Sequence, residues 1–121
     1  MLATVEQTRL KVSKNTEAER KSQLGQFFTP ARTAQFMASL FTSKNIDNCR
    51  LLDAGAGIGS LSSAFLERCI AAEINFRKIE IAAFELDDFI HNELNNSLSS
   101  YKNRLLTGYN LVSVTDLLMQ F

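Results

Sequence analysis

The 121-residue sequence predicts an α/β fold in which parallel strands alternate with helices. Two short apolar runs, residues 50–53 and 78–84, each end at acidic residues and are followed by apolar residues at helical spacing. Three of the five glycines lie between the first run and its helix. Strands that alternate with helices of this length are joined by right-handed crossovers, so we expect a parallel sheet covered by helices.

Composition allows one compact domain and excludes several classes of protein. Hydrophobic residues make up 45% of the chain, and 13 basic residues balance 13 acidic ones, so no global positive field attracts nucleic acid. No apolar stretch approaches the roughly 20 residues of a membrane span, and the N-terminus lacks a signal-peptide pattern, so we expect a cytoplasmic protein without a membrane partner. Cys49 and Cys69 fit no metal-ligand spacing and are predicted to be reduced, buried side chains, with no metal site.

The first 23 residues are predicted to form an exposed helical segment that precedes an α/β domain over residues 24–121. Leu2, Val5 and Val12 give this segment a sparse apolar spacing, and Thr16 with Glu19 could form a capping box.

A shaped loop and a helix start follow at residues 22–30. Phe27 and Phe28 lie beside a glycine and the only proline, and we expect Phe27 in the core and Phe28 near a ligand. The Thr29 hydroxyl is predicted to cap the next helix, with Pro30 at its first position. Its apolar face is predicted to contain Ala34, Met37, Leu40 and Phe41.

The remaining elements follow from periodicity. After the strand at 50–53, a helix is predicted from Leu61, Phe65, Cys69 and Ala72. After the strand at 78–84, another helix is predicted from a second apolar stripe: Ile90, Leu94, Leu98, Tyr101 and Leu105. Residues 110–115 then read as a third strand that ends at Asp116. Asp87 and Asp88 suit helix capping, and His91, off the apolar stripe, is expected to be solvated.

The glycine turn is the strongest functional signal. Gly55, Gly57 and Gly59 permit positive φ and close approach of a ligand, and the following helix offers free N–H groups. In a parallel sheet the ligand lies beyond the carboxyl ends of the strands. Three acidic residues, Asp53, Glu85 and Asp116, mark those ends and should converge on one crevice.

The glycine turn fits three classes of nucleotide-like ligand to different degrees. A dinucleotide fingerprint would require its third glycine one residue later, where Ser60 stands, which disfavours a nicotinamide-dependent oxidoreductase. A phosphate-binding P-loop needs a lysine that is absent here. Asp53 would repel a pyrophosphate and attract an ammonium group. S-adenosylmethionine, with an amino acid part, an adenosine and no phosphate, fits better.

Two segments resemble those of a known family. Residues 53–59, Asp-Ala-Gly-Ala-Gly-Ile-Gly, resemble motif I of class I S-adenosylmethionine-dependent methyltransferases, and residues 24–30, Leu-Gly-Gln-Phe-Phe-Thr-Pro, resemble motif X of amino-methylating DNA methyltransferases. With residues 5–9 and 36–41, the whole chain looks like the N-terminal, cofactor-binding part of PstI/BsuBI-like adenine-specific modification methylases of Type II restriction systems. This resemblance implies a partial Rossmann-like methyltransferase fold.

The resemblance also implies a set of cofactor contacts. Phe28, Thr29 and Pro30 would contact the methionine part of S-adenosylmethionine. Glu85 would accept both ribose hydroxyls, Leu86 would flank the adenine, and Asp116 would accept from its amino group. The floor of the site would be formed by Asp53, Ala54, Gly55, Gly57 and Gly59.

The family's catalytic motif is missing from these 121 residues. It consists of Asn or Asp, two prolines and an aromatic residue, whereas Pro30 is the only proline here. The chain alone is therefore expected to contain no catalytic residue and to be inactive. It is also expected to be marginally stable, prone to aggregation or paired with another chain. In the complete enzyme the partner would be double-stranded DNA. Three explanations of the missing half stay open: a second polypeptide that supplies it, a truncated gene product and an engineered truncation. A different function also stays open, that of a non-catalytic cofactor-binding or partner-binding module.

Overall fold

A computed structural model describes residues 2–15, 28–42 and 48–106, and shows an α/β arrangement. In order, its elements are α1 (Leu2–Asn15), α2 (Ala31–Ser39), β1 (Asn48–Ala54), α3 (Ser60–Ile70), β2 (Lys78–Phe84), a short 3-10 turn (Asp88–Ile90) and α4 (His91–Leu106). The predicted capping box at Thr16 and Glu19, Phe27, and the predicted third strand with Asp116 lie outside the described residues.

The two described strands pair in parallel, as the sequence predicts. Their register runs from Asn48 opposite Lys78 to Ala54 opposite Phe84, so both carboxyl ends reach the same edge of the sheet. The bounds of β2 agree with the prediction, whereas β1 is longer than the predicted 50–53. This arrangement is compatible with part of a Rossmann-like fold.

Most of the buried apolar residues belong to β2 and to helices α3 and α4. The predicted stripe of α4 is confirmed, because all five of its residues are buried: Ile90, Leu94, Leu98, Tyr101 and Leu105. Phe65 and Cys69 of α3 are buried as well, but the prediction for Ala72 is wrong. Helix α3 ends at Ile70, and Ala72 is exposed with φ of +57°. This left-handed residue lets the Glu73 amide donate to the Arg68 carbonyl at 3.0 Å, which closes the helix end.

Helix α1 packs on this core through its apolar residues. Leu2 and Val5 are buried, and Val12 packs partly against the same cluster. The Leu2 amide donates to Glu67 Oε1 on α3 at 3.1 Å, and the buried Tyr101 hydroxyl donates to the same oxygen at 2.9 Å. One carboxylate therefore connects α1, α3 and α4.

Helix α2 differs from its prediction at its start. Pro30 is the N-cap, with φ of −61° and ψ of 151°, and the helix begins at Ala31 rather than at the proline. The Ala31 amide donates to the carboxylate of Glu6 on α1 at 3.1 Å, so that carboxylate, and not the predicted Thr29 hydroxyl, is the acceptor at this helix end.

The predicted apolar face of α2 is also only partly correct. Ala34 is buried, together with Ala38, because these small side chains allow α2 to approach α3 closely. Met37, Leu40 and Phe41 are exposed. They line an open groove of about 340 Å³, and the opposite side of this groove includes residues of β1 and α3.

The far end of α2 is bound by a basic side chain from α3. Arg68 Nη1 donates to the carbonyls of Ala38 and Phe41, both at 2.6 Å, and its Nε donates to Glu73 at 3.0 Å. A cation at a helix C-terminus is favourable, because the last carbonyls carry the negative end of the helix dipole.

Candidate functional site

The glycine turn connects β1 to α3 at the carboxyl edge of the sheet. Gly55, Gly57 and Gly59 have φ of +77°, +58° and +88°, so the positive φ values that the sequence predicts are confirmed. The amides of Gly55 and Ala56 both donate to the Phe84 carbonyl at 2.8 Å. The turn is therefore fixed to the end of β2, and the first helical amides of α3 begin directly after it.

The ring of Phe28 lies against this turn, although 28 residues of sequence lie between Phe28 and Gly57. A Cβ placed on Gly57 would lie 3.0 Å from Phe28 Cδ1 and 3.3 Å from Cε1, which means that the ring covers that face of the turn. Around Gly55 a Cβ would meet no atom within 4 Å. The turn is therefore closed by an aromatic ring at Gly57 and open at Gly55, where a ligand can approach.

Asp53, the acidic residue at the end of β1, is buried beneath the turn. Its Oδ2 accepts from the Ser62 hydroxyl at 2.5 Å, so it also braces the first turn of α3. Burial raises the pKa of Asp53, the hydrogen bonds from Ser62 oppose that change, and the neighbouring Glu85 adds to it. In its ionised form this side chain would stabilise a cationic group bound beside the turn.

Glu85, the acidic residue after β2, is buried and accepts two backbone hydrogen bonds. Its Oε2 accepts from the Gly57 amide at 2.7 Å, and its Oε1 accepts from the Asp87 amide at 3.0 Å. Each carboxylate oxygen has a second lone pair, so both remain able to accept from ligand hydroxyls. Glu85 therefore links the glycine turn to the loop after β2.

The loop after β2 contains two exposed apolar residues and one histidine. Leu86 and Phe89 are 58% and 75% exposed, and Phe89 was missed by the sequence reasoning. Asp87 accepts from the Phe89 amide at 3.0 Å, which confirms its capping role. The prediction of a solvated His91 is wrong: it is half-buried, and its Nε2 lies 2.8 Å from the Glu85 carbonyl oxygen. No residue spacing in the sequence signals this contact.

The described residues that were predicted to bind the cofactor lie in three places: the glycine turn, the two strand ends beside it and the segment before α2. Ala54 is exposed at the last position of β1, and Thr29 and Pro30 follow Phe28 at the start of α2. Asp116 lies outside the described residues. The hydroxyl of Ser60, at the first position of α3, is buried without a hydrogen-bond partner among the described residues. An orphaned hydroxyl beside the glycine turn is a feature that a bound polar ligand would explain.

This donor and acceptor set fits S-adenosylmethionine. The two buried carboxylates would suit an ammonium group and ribose hydroxyls, and the exposed apolar side chains of Leu86 and Phe89 would suit an adenine ring. No group of three or more histidine, cysteine, aspartate or glutamate residues suited to a metal ion occurs in residues 2–15, 28–42 and 48–106. Within the same part of the chain, no helix is long and apolar enough to cross a bilayer.

Comparison with known proteins gives two relatives. The chain is 44% identical to the Type II methyltransferase M.BsuBI of Bacillus subtilis over 103 residues, which is 85% of this chain and 20% of that protein. It is 33% identical to the Type II methyltransferase M.PstI of Providencia stuartii over 98 residues, which is 80% of this chain and 15% of that protein. The chain thus spans about a fifth or less of these relatives. No family model and no solved structure matches it.

Proposed function

Because this chain is homologous to a portion of the Type II methyltransferases, we propose that it is the S-adenosylmethionine-binding part of a site-specific DNA methyltransferase that acts on the exocyclic amino group of adenine. The observation that carries the proposal is the contact between Phe28 and Gly57, since it joins the two segments that resemble motifs X and I. The buried carboxylates of Asp53 and Glu85 flank the same turn.

Each side of the site has a distinct binding role in this proposal. Phe28, Thr29 and Pro30 contact the methionine part, and Asp53 offsets its ammonium charge. Glu85 accepts both ribose hydroxyls with the lone pairs that the amides of Gly57 and Asp87 leave free.

The adenine end has its own contacts. Leu86, which is exposed beside Glu85, would cover one face of the ring. Asp116 would accept from the exocyclic amino group of the cofactor. The floor would consist of Ala54, Gly55, Gly57 and Gly59, of which Gly55 is open to an approaching ligand.

The chemistry of transfer requires more than this chain. The bound cofactor supplies an activated methyl group, and the residues described here bind and orient it. The acceptors that would hold the target amino group belong to the Asn/Asp-Pro-Pro-aromatic motif, which these 121 residues lack. We therefore propose that this chain alone is inactive. The catalytic half and the DNA contacts correspond to the part of the relatives that this chain does not span. They would be supplied by the same chain or by a second polypeptide.

One feature favours a second candidate, a non-catalytic module that binds a partner. Met37, Leu40 and Phe41 are exposed around an apolar groove of about 340 Å³ beside β1. In a regulatory module this groove would be the partner contact, whereas in a methyltransferase it would be covered by the rest of the domain.

The test is isothermal titration of the 121-residue chain with S-adenosylmethionine, with NAD as the control ligand. Asp53→Asn and Glu85→Gln keep the shape of each side chain and remove its charge. Glu80→Gln is the matched control, because Glu80 lies on β2 and pairs with Lys78 at 2.8 Å, away from the turn.

We expect saturable binding of S-adenosylmethionine alone, weakened at least tenfold in both site variants and unchanged in Glu80→Gln. A sample that is folded by circular dichroism but binds neither ligand would contradict cofactor binding by this chain. Binding of NAD in place of S-adenosylmethionine would favour an oxidoreductase fragment.

A further inference from the structure

Glu6 on α1 reaches across to the start of α2. Its Oε2 accepts from the Ala31 amide at 3.1 Å, and its two oxygens accept from Arg9 at 2.7 and 2.8 Å. The side chains of Glu6 and Arg9 are 25% and 16% exposed. A half-buried ion pair of α1 therefore holds the first amide of a helix that begins 25 residues later.

Helix α2 has no such acceptor of its own. It has no acidic residue in its first turn, and its N-cap is a proline without a capping side chain. A carboxylate near the N-terminus of a helix is stabilising because the free amides there carry partial positive charge. Glu6 on α1 therefore supplies the acidic hydrogen-bond acceptor that the sequence of α2 lacks.

The contact is transmitted to the glycine turn through a short and stiff segment. Ala31 follows Pro30, whose ring restricts φ and which has φ of −61°. Two residues before Pro30, the ring of Phe28 covers Gly57. The orientation of the first amide of α2 therefore restricts where the Phe28 ring can lie.

We propose that Glu6 is a positioning residue that holds the segment 28–30 against the glycine turn and thereby strengthens cofactor binding. The strengthening of binding rests on the function proposed above, whereas the positioning of Phe28 does not. Among the described residues, the hydrogen bonds of Glu6 join it to Arg9 and to the Ala31 amide, so it acts on the turn through Ala31 and Pro30.

The charge state of Glu6 agrees with this role. The hydrogen bond from Arg9, opposed by desolvation, lowers the pKa of the Glu6 carboxyl, and the charge of Arg9 and the Ala31 amide lower it further. The carboxylate is therefore ionised at neutral pH, and the contact with the helix start is a charge-assisted hydrogen bond.

The experiment combines a direct readout of position with a readout of binding. Position is measured by NMR in the full 121-residue chain, as the nuclear Overhauser effect between the Phe28 ring protons and the Gly57 α protons. Binding is measured by titration with S-adenosylmethionine. The variants are Glu6→Ala, which removes the acceptor, Glu6→Asp, which shortens it by one methylene, and Glu6→Gln, which retains an acceptor oxygen at the same reach. Glu80→Ala is the control.

We expect Glu6→Ala and Glu6→Asp to lose most of the Phe28–Gly57 signal and to weaken S-adenosylmethionine binding about fivefold. Glu6→Gln should restore the signal and keep affinity within about twofold of the unmodified chain. Glu80→Ala should change neither quantity. This rescue by Gln separates a positioning role from a loss of global stability. A variant that is less stable but still folded would keep the Phe28–Gly57 contact.

Other outcomes would overturn the inference. An unchanged Phe28–Gly57 signal in Glu6→Ala, with only a lower unfolding temperature, would make Glu6 a purely stabilising residue. If Glu6→Ala does not fold, equal signals in Glu6→Asp and Glu6→Gln would contradict it. If the unmodified chain binds no S-adenosylmethionine, the proposed function fails, while the NMR signal still decides whether Glu6 positions Phe28.

Discussion

The substitution Gly57→Ala tests whether Phe28 closes the glycine turn. Gly57 has φ of +58°, a conformation that costs a residue with a Cβ about 1–2 kcal/mol. The added methyl carbon would also lie 3.0 Å from Phe28 Cδ1, closer than the 3.4–4 Å of ordinary contact. The ring must therefore move away from the turn, and this movement adds a second cost.

Gly55→Ala is the matched control, because it introduces the backbone strain at positive φ without displacing the Phe28 ring. Its φ is +77°, and a Cβ there would meet nothing within 4 Å. Both variants should lose about 1–2 kcal/mol of unfolding free energy from backbone strain. With a urea m-value of about 2 kcal/mol/M, this loss lowers the unfolding midpoint by roughly 0.5–1 M. Gly57→Ala should lose more than Gly55→Ala.

A double-mutant cycle with Phe28→Ala isolates the contact. When the ring is absent, Gly57→Ala should cost no more than Gly55→Ala, which gives a coupling energy of about 0.5 kcal/mol or more between Phe28 and Gly57. Urea unfolding followed by circular dichroism measures all of these variants. Equal losses in the two glycine variants, together with zero coupling, would refute the proposed closure of the turn by Phe28.

Three further predictions concern the buried carboxylate of Asp53, the C-terminal end of α2 and the buried thiol of Cys69. Because burial raises the pKa of Asp53, the folded state binds its proton more tightly than the unfolded state, so stability falls as pH rises from the unfolded pKa through the folded one. Asp53→Asn should therefore raise the unfolding free energy at pH 7 and abolish part of this pH dependence; a lower free energy at pH 7 would contradict the argument. Arg68→Met removes two hydrogen bonds of 2.6 Å to carbonyls at the end of α2 and should cost about 1–3 kcal/mol in urea unfolding, whereas Glu73→Gln, at an exposed ion pair, should cost under about 1 kcal/mol. Similar losses in both variants would show that the carbonyl contacts contribute little. Burial raises the pKa of Cys69 to about 12, so iodoacetamide at pH 8 should label this residue only on unfolding, as mass spectrometry would detect; rapid labelling of the native chain would place the thiol at the surface.

Much of the candidate site was predictable because its signals are local. Glycines at alternate positions before a helix require positive φ, and all three adopt it. An acidic residue at the carboxyl end of each parallel strand must lie at the carboxyl edge of the sheet, and Asp53 and Glu85 do. Two contacts of the site were not predictable: the hydrogen bond from the Gly57 amide to Glu85, and the contact between His91 and the Glu85 carbonyl. Neither of them corresponds to a recognisable spacing of residues in the sequence.

The sequence by itself determined the positions of the two described strands, the core stripe of α4 and the backbone conformation of the glycine turn, because periodicity and backbone preference act between near neighbours. Only the tertiary structure decided how α2 is held, with Glu6 at its start and Arg68 at its end. It also decided that Met37 and its neighbours line an open groove rather than the core. These outcomes depend on which helix packs beside α2, and pairs about 25 to 30 residues apart are joined by packing geometry that no local pattern encodes.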